Sequence, residues 1–282
     1  MSGIMGSISF LEMMKAVFFG IIEGITEWLP ISSTGHMILF QEFVKMDVRP
    51  EFWDMFLVVI QFGAIIAVVV LFWNRLWPFA SKKNHWIKKE VFSMWFKVVV
   101  ACIPAAVIGL LFDEKLEELF YNYQTVSIAL ITFGIVFIIV ETLHKGKDSK
   151  IHSIAELSYL TVIYIGLFQV LAAIFPGTSR SGATIIGALI LGVSRTVAAE
   201  FTFFMAVPVM AGASLLKIMQ FGFSFTIEEL LILVTGMLVA FMVSIVAIKF
   251  LMGYIKKHDF KIFGWYRIVL GILVLLYFWI IK

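Results

Sequence analysis

The chain has 282 residues, 61% of them hydrophobic and only 15% charged, with a formal charge of +3. A soluble domain usually carries about 25% charged residues. Water is therefore not this chain's main solvent, and its Lys and Arg sit in short connections instead of a stripe suited to nucleic acid. The single cysteine, Cys102, lies in an apolar run; it excludes a disulfide framework or a Cys-rich metal centre and reads as a packing residue. The first Lys is Lys15, and no basic segment precedes a small-residue cleavage site, so no cleavable signal peptide is expected.

A hydrocarbon core about 30 Å thick needs about 20 apolar residues per helix. In chain order, residues 8–29 form an apolar but interrupted region ending at Pro30, and spans are predicted over 52–73, 91–112 and 125–142. A second interrupted region, 154–175, ends at Pro176, and spans follow over 198–219, 229–250 and 265–281. Each interrupted region leads into hydroxyl residues with Gly and an apolar stretch too brief to cross. The expectation is an all-α integral membrane protein with six transmembrane helices plus two re-entrant helical hairpins, in a single membrane domain over 1–282. A rival count lets both interrupted regions cross fully.

Residues 20–36, GIIEGITEWLPISSTGH, and 166–182, GLFQVLAAIFPGTSRSG, align at an offset of 146. Gly20 then pairs with Gly166, Glu23 with Gln169, Pro30 with Pro176, Ser33 with Ser179 and Asp54 with Glu200. Repeat one is read as 1–142 and repeat two as 143–282. Charge sets their orientation, because cytoplasmic loops collect Lys and Arg. The connection 74–90 carries Arg75, Lys82, Lys83, Lys88 and Lys89, whereas 220–228 carries none. Lys145, Lys147 and Lys150 mark a second cytoplasmic connection and Lys256, Lys257 and Lys261 a third; 113–124 has four acids against Lys115. This predicts an inverted-topology repeat with both termini outside, in which two broken elements enter from opposite faces and meet near the midplane. Gly134 and Gly236 suit close helix packing; a homodimer is a partner the sequence leaves open.

Glu23 and Glu27 are four residues apart and share a helix face, and two carboxylates at membrane depth need partners or a task. The bland alternative is a pair of acids near a helix end reaching water. Ser32, Ser33 and Thr34 supply hydroxyls after Pro30; a cap explains one or two of them but not the set. His36 is the only one of five histidines inside an apolar motif, those at 85, 144, 152 and 258 lying in or beside the basic connections. In PGTSRSGAT, 176–184, Arg180 stands among Thr178, Ser179, Ser181 and Thr184, an anion cradle of guanidinium, hydroxyls and helix-terminal amides. Arg180 could equally be a structural ion-pair partner of Glu23 or Glu27, and both roles can hold together. Arg195 and Glu200, near a helix start, and Glu12 beside Lys15 read as structural or interfacial. Nucleophile, base and phosphate donors are what phosphoryl transfer requires, and apolar surroundings imply a phosphate carried on a lipid.

EGITEWLPISSTGH at 23–36 and PGTSRSGAT at 176–184 resemble the two signatures of the undecaprenyl-diphosphate phosphatase family, also called the bacitracin-resistance protein family. The resemblance covers nearly the whole chain. It implies hydrolysis of undecaprenyl diphosphate to undecaprenyl phosphate and inorganic phosphate at the outer face of a bacterial cytoplasmic membrane, recycling a carrier for cell-wall polymer synthesis. By motif position it implies Ser33 as nucleophile, Arg180 as phosphate clamp, and Glu23, Glu27 and His36 as the acid, base and orienting set, with Ser32, Thr34, Thr178, Ser179, Ser181 and Thr184 on the substrate side. Whether Glu27 or His36 activates Ser33 stays open, as does direct attack by water. The family's divalent-metal dependence implies Mg2+ or Ca2+, bridged by the diphosphate to Glu23 or Glu27. The competing reading is a secondary transporter or flippase for a lipid phosphate or another anion, since broken-helix repeats serve carriers too.

Overall fold

The computed structural model describes residues 2–79 and 88–281; Lys82 and Lys83, which entered the charge argument, and His85, which entered the comparison of histidines, lie outside the described residues. Those residues form α1 (Ser2–Thr26), α2 (Ser33–Phe43), α3 (Pro50–Leu71), α4 (Trp73–Leu76), α5 (Lys89–Phe120), α6 (Tyr123–Leu143), α7 (Tyr159–Ile174), α8 (Arg180–Ile190), α9 (Arg195–Phe221), α10 (Ile227–Tyr254) and α11 (Lys261–Ile281). Six of them are long and apolar enough to cross a membrane: α3, the first part of α5, α6, α9, α10 and α11. These are the six predicted spans, with bounds that differ by no more than four residues. α5 and α9 continue through Pro104 and Pro208, which helices inside a bilayer tolerate because neighbours satisfy the freed backbone groups.

Small residues let the helices approach. α6 lies along α11, α1 along α10, and α7 along α5. A Cβ at Gly134 would come 2.7 Å from the Gly264 carbonyl, and one at Gly264 would come 2.7 Å from the Gly134 carbonyl. Gly20 sits against the Gly236 carbonyl, Gly236 itself against Phe56 and Ile60, and Gly166 against the Ala101 backbone. Gly134 and Gly236 are thus taken up inside the chain, and neither is left to carry a homodimer contact. Cys102 is buried with its thiol toward the Met205 carbonyl at 3.7 Å, a packing residue as expected.

Charged side chains off the motifs find one another. Arg49 grips both oxygens of buried Glu229 at 2.7 Å, joining the start of α3 to α10. Arg195, at the head of α9, holds Glu141 of α6 from two nitrogens, and Glu141 also accepts the Phe260 amide at 3.0 Å. Arg75 pairs with Glu200, and Lys15 with Glu12, which also accepts the Asp47 amide at 3.1 Å. Arg195, Glu200 and Glu12 are therefore structural.

The two chain breaks are built alike. α2 and α8 are both 11 residues long, each N-capped by a serine hydroxyl that accepts an amide three residues on: Ser32 from Gly35 and Ser179 from Gly182. Ser32 at φ 71° and Ser179 at φ 67° are the only non-glycine residues with positive φ among the described residues. These caps align at an offset of 147, one more than the 146 that pairs the prolines. The extra residue falls between proline and cap, where Gly177 takes φ +93° and a Cβ would press to 2.6 Å from the Val126 carbonyl. By local conformation the counterpart of Ser179 is Ser32, not Ser33.

Close packing makes a direct prediction. Gly166→Val should push α7 off α5 and lower the thermal midpoint in detergent, at a cost of about 1–3 kcal/mol. Gly109→Ala, with nothing within 4 Å of the added carbon, should leave the midpoint unchanged. Equal midpoints for both variants would refute the small-residue contact.

Candidate functional site

Pro30 and Pro176 follow α1 and α7, and each chain break carries a hydroxyl-rich turn that leads into a short helix. Glu27 lies just past the end of α1, its amide still bonded to the Glu23 carbonyl at 3.0 Å. Its carboxylate joins the turns. Ser33 Oγ donates to Glu27 Oε2 at 2.8 Å, and Arg180 Nη2 donates to Glu27 Oε1 at 2.8 Å. Ser181 Oγ donates to the Glu27 carbonyl at 3.2 Å and lies 3.2 Å from Ser179 Oγ. Ser33 and Arg180, 147 residues apart in sequence, thereby share one carboxylate. Glu27 is 8% exposed, so these bonds form where competing water is scarce and charge-assisted contacts are strong.

His36 is held apart from Ser33. Its Nδ1 lies 2.7 Å from the Ser32 carbonyl, which can only accept, so Nδ1 carries the proton; Nε2 meets the Tyr266 hydroxyl at 2.7 Å. Both ring nitrogens are engaged in holding the strained turn to α11. The carboxylate in contact with Ser33 is that of Glu27.

The remaining expected residues divide. Glu23, one turn before Glu27, is 1% exposed, and its Oε1 has no hydrogen-bond partner. Thr178 Oγ1 and Arg180 Nη1 are likewise buried without a partner. Thr184 is fully buried, donating to the Arg180 carbonyl at 2.9 Å and lying 2.8 Å from Thr202 Oγ1, so it braces α8 on α9. Ser32 and Ser179 cap helices. Thr34 lines an open cavity of about 430 Å³ whose wall includes Trp53, Asp54, Ala172, Pro176 and Lys217, so both turns border the same space. No group of three or more His, Cys, Asp or Glu side chains converges among the described residues.

One residue escaped the reading of the sequence. Arg267 of α11 is fully buried and donates to the carbonyls of Gly177 at 3.0 Å, Thr178 at 2.7 Å and Pro30 at 3.4 Å. It staples the two turns from behind. Its signal was available, since an ionisable residue inside an apolar span is a functional candidate by default, but a span drawn from 265 puts it at the boundary, where Arg passes for an interfacial residue.

The model of the bacitracin resistance protein BacA family matches residues 16–273. The chain belongs to that family. Among its relatives, the undecaprenyl-diphosphatase of Desulfitobacterium hafniense is 62% identical over 271 residues, covering 96% of this chain and 98% of that protein. The undecaprenyl-diphosphatase of Acetivibrio thermocellus is 62% identical over 268 residues, 95% and 98% of the two chains. Undecaprenyl-diphosphatase 1 of Clostridioides difficile is 56% identical over 277 residues, 98% of this chain and all of that one. The membership expected from the two motifs is borne out across the membrane domain.

Replacing Arg267 tests the staple. Arg267→Met removes the donors to three buried carbonyls, each worth about 1–3 kcal/mol when left unpaired. Amide hydrogen exchange should accelerate in both turns, 30–33 and 177–180, while α3 and α10 keep their protection. Unchanged exchange in the turns would mean that the guanidinium does not hold them.

Proposed function

We propose that this protein hydrolyses undecaprenyl diphosphate to undecaprenyl phosphate and inorganic phosphate, recycling the carrier lipid for cell-wall polymer synthesis and conferring bacitracin resistance. The observation that carries the reading is the bond from the Ser33 hydroxyl to Glu27, whose other oxygen receives Arg180. Nucleophile, base and phosphate-binding cation stand in direct contact, and relatives 56–62% identical over nearly the whole chain bear the name undecaprenyl-diphosphatase. A carrier has no use for an activated serine.

In the mechanism, Ser33 Oγ attacks the terminal phosphorus and its proton passes to Glu27 Oε2. The bond from that phosphorus to the bridging oxygen breaks, and undecaprenyl phosphate leaves with the electron pair. The departing undecaprenyl phosphate carries off that proton and restores the Glu27 carboxylate. Water then attacks the phosphoserine and gives a proton to Glu27, which returns it to Ser33 Oγ as the Oγ–P bond breaks and inorganic phosphate departs. Arg180 has Nη1 to offer the equatorial oxygens, and the Thr178 hydroxyl and the first amides of α2 and α8 add neutral donors. His36, tied to Ser32 and Tyr266, keeps the turn that presents Ser33. A divalent cation, Mg2+ or Ca2+, would be held by the unpaired Glu23 oxygen beside Glu27 and would supply neutralisation of phosphate charge.

With this function goes a finer architecture: α1–α2 and α7–α8 as re-entrant hairpins of an inverted-topology repeat, 1–142 and 143–282. Its support is an exchange of packing partners. α1 packs on α10 as α7 does on α5, α3 on α10 as α9 on α5, and α2 on α11 as α8 on α6. Arg49 and Arg195, 146 apart, each stand at the head of a span and hold a buried glutamate. The basic connections face the cytoplasm of a bacterial inner membrane, so both termini and the cavity bordered by Thr34 and Lys217 face outward.

The purified protein, given undecaprenyl diphosphate and Mg2+ in detergent, should release phosphate. Ser33→Ala should abolish release, and Glu27→Gln should slow it by about 10²–10⁴-fold. Label carried on the terminal phosphate should be trapped on Ser33. Folded wild type that releases nothing in any divalent metal would sink the reading; release with no trapped serine would leave direct attack by water. Chelation should abolish turnover, and Glu23→Gln should raise the metal concentration needed for half-maximal rate. Indifference to both would remove the cation.

A further inference from the structure

Gln169 plays no part in the mechanism above, yet its surroundings are hard to reconcile with simple packing. It sits on α7, 2% exposed, with Oε1 and Nε2 both buried and neither making a hydrogen bond. Burying an amide with no partner costs about 2–7 kcal/mol, and buried polar side chains in native proteins are nearly always satisfied by protein, water or ligand.

Its position points to which of these it meets. Val162, Ile165, Gly166 and Gln169 are the buried stripe of α7. Ala172 and Ala173, three and four residues on and so on the same face, line the cavity together with Pro176 and Thr34. Gln169 therefore lies one turn, about 5.4 Å, before those cavity residues along α7. Other buried, unpartnered polar atoms in or beside the two turns are Glu23 Oε1, Trp28 Nε1, Thr178 Oγ1, Arg180 Nη1 and Arg267 Nε; of these Glu23, Thr178 and Arg180 carry groups that suit a phosphate or its cation. At the repeat offset Gln169 stands where Glu23 stands in the first half.

We propose that Gln169 is a ligand of the diphosphate head group, donating from Nε2 to a non-bridging oxygen; this rests on the phosphatase reading. The amide explains the asymmetry between the halves. The site already holds two carboxylates, Glu23 and Glu27, against the guanidinium groups of Arg180 and Arg267. A third carboxylate at 169 would repel the phosphates, whereas an amide supplies two N–H donors and no charge. The first half offers an acid to a cation and the second a neutral donor to the anion.

The test compares full-length wild type, Gln169→Leu and Gln169→Glu in detergent with Mg2+ and undecaprenyl diphosphate. Gln169→Leu fills similar space and removes an unpaired amide, so its thermal midpoint should equal or exceed that of wild type. KM should rise about tenfold, the value of a hydrogen bond to a charged group, with kcat nearly unchanged. Gln169→Glu should raise KM further. Inorganic pyrophosphate should raise the midpoint of wild type and do so much less for Gln169→Leu. If Gln169→Leu does not fold, Gln169→Met takes its place in every comparison. Wild-type KM and a wild-type pyrophosphate shift in the apolar variant would overturn the proposal and leave the phosphatase standing. Wild type without turnover would remove the phosphatase reading, while the pyrophosphate shift would still decide whether Gln169 binds the anion.

Discussion

One carboxylate organises the polar interior of this bundle. Inside a bilayer an unpaired charge is expensive, and an acid at the end of a broken helix is stabilised when both oxygens are engaged. Glu27 meets that demand with two side chains brought by different halves of the chain, Ser33 from one turn and Arg180 from the other. Neither turn is complete alone. The pairing that makes a buried Glu27 tolerable is the same pairing that puts a hydroxyl on a carboxylate beside a guanidinium, so the stability of the centre and the geometry of its functional groups share one constraint.

The rest of the fold can be derived from holding those turns together. Broken helices expose carbonyls that water would satisfy elsewhere, and here Arg267 serves three of them across both turns. Arg267 can reach them because α11 lies close on α6, and that closeness depends on Gly134 and Gly264 meeting backbone to backbone. Bulk at those glycines would displace the staple as well as the helix. Tyr266, next in sequence, takes His36 Nε2. Adjacent residues of one helix thus fix both the shared back of the turns and the one that presents Ser33.

The spans were legible because twenty apolar residues leave a plain mark in composition, and the site's residue types were legible because acids, hydroxyls and Arg are conspicuous in such a background. Partnerships were not. Which of Glu27 and His36 touches Ser33 depends on a turn conformation that hydropathy does not encode, and the Ser32 carbonyl decides it by drawing Nδ1 away. Arg195 with Glu141 and Arg75 with Glu200 join elements 54 and 125 residues apart, which no local pattern predicts. The repeat offset was readable at the prolines and slipped by one at Gly177, because a single residue changes a turn without changing its composition.

The strain at the two caps follows from this geometry. Positive φ costs a serine about 1–3 kcal/mol, and glycine would adopt it freely. Glycine, however, has no hydroxyl for the Gly35 or Gly182 amide. A relaxed serine would cap the helix but send the next residue elsewhere, and the next residues are Ser33 and Arg180. The strained cap reconciles the two needs: it starts a short helix without another turn of chain, and it aims the residue after it at Glu27. That both halves use the same device, each delivering a different functional group to the same carboxylate, indicates that the backbone strain belongs to the site itself, not to the packing around it.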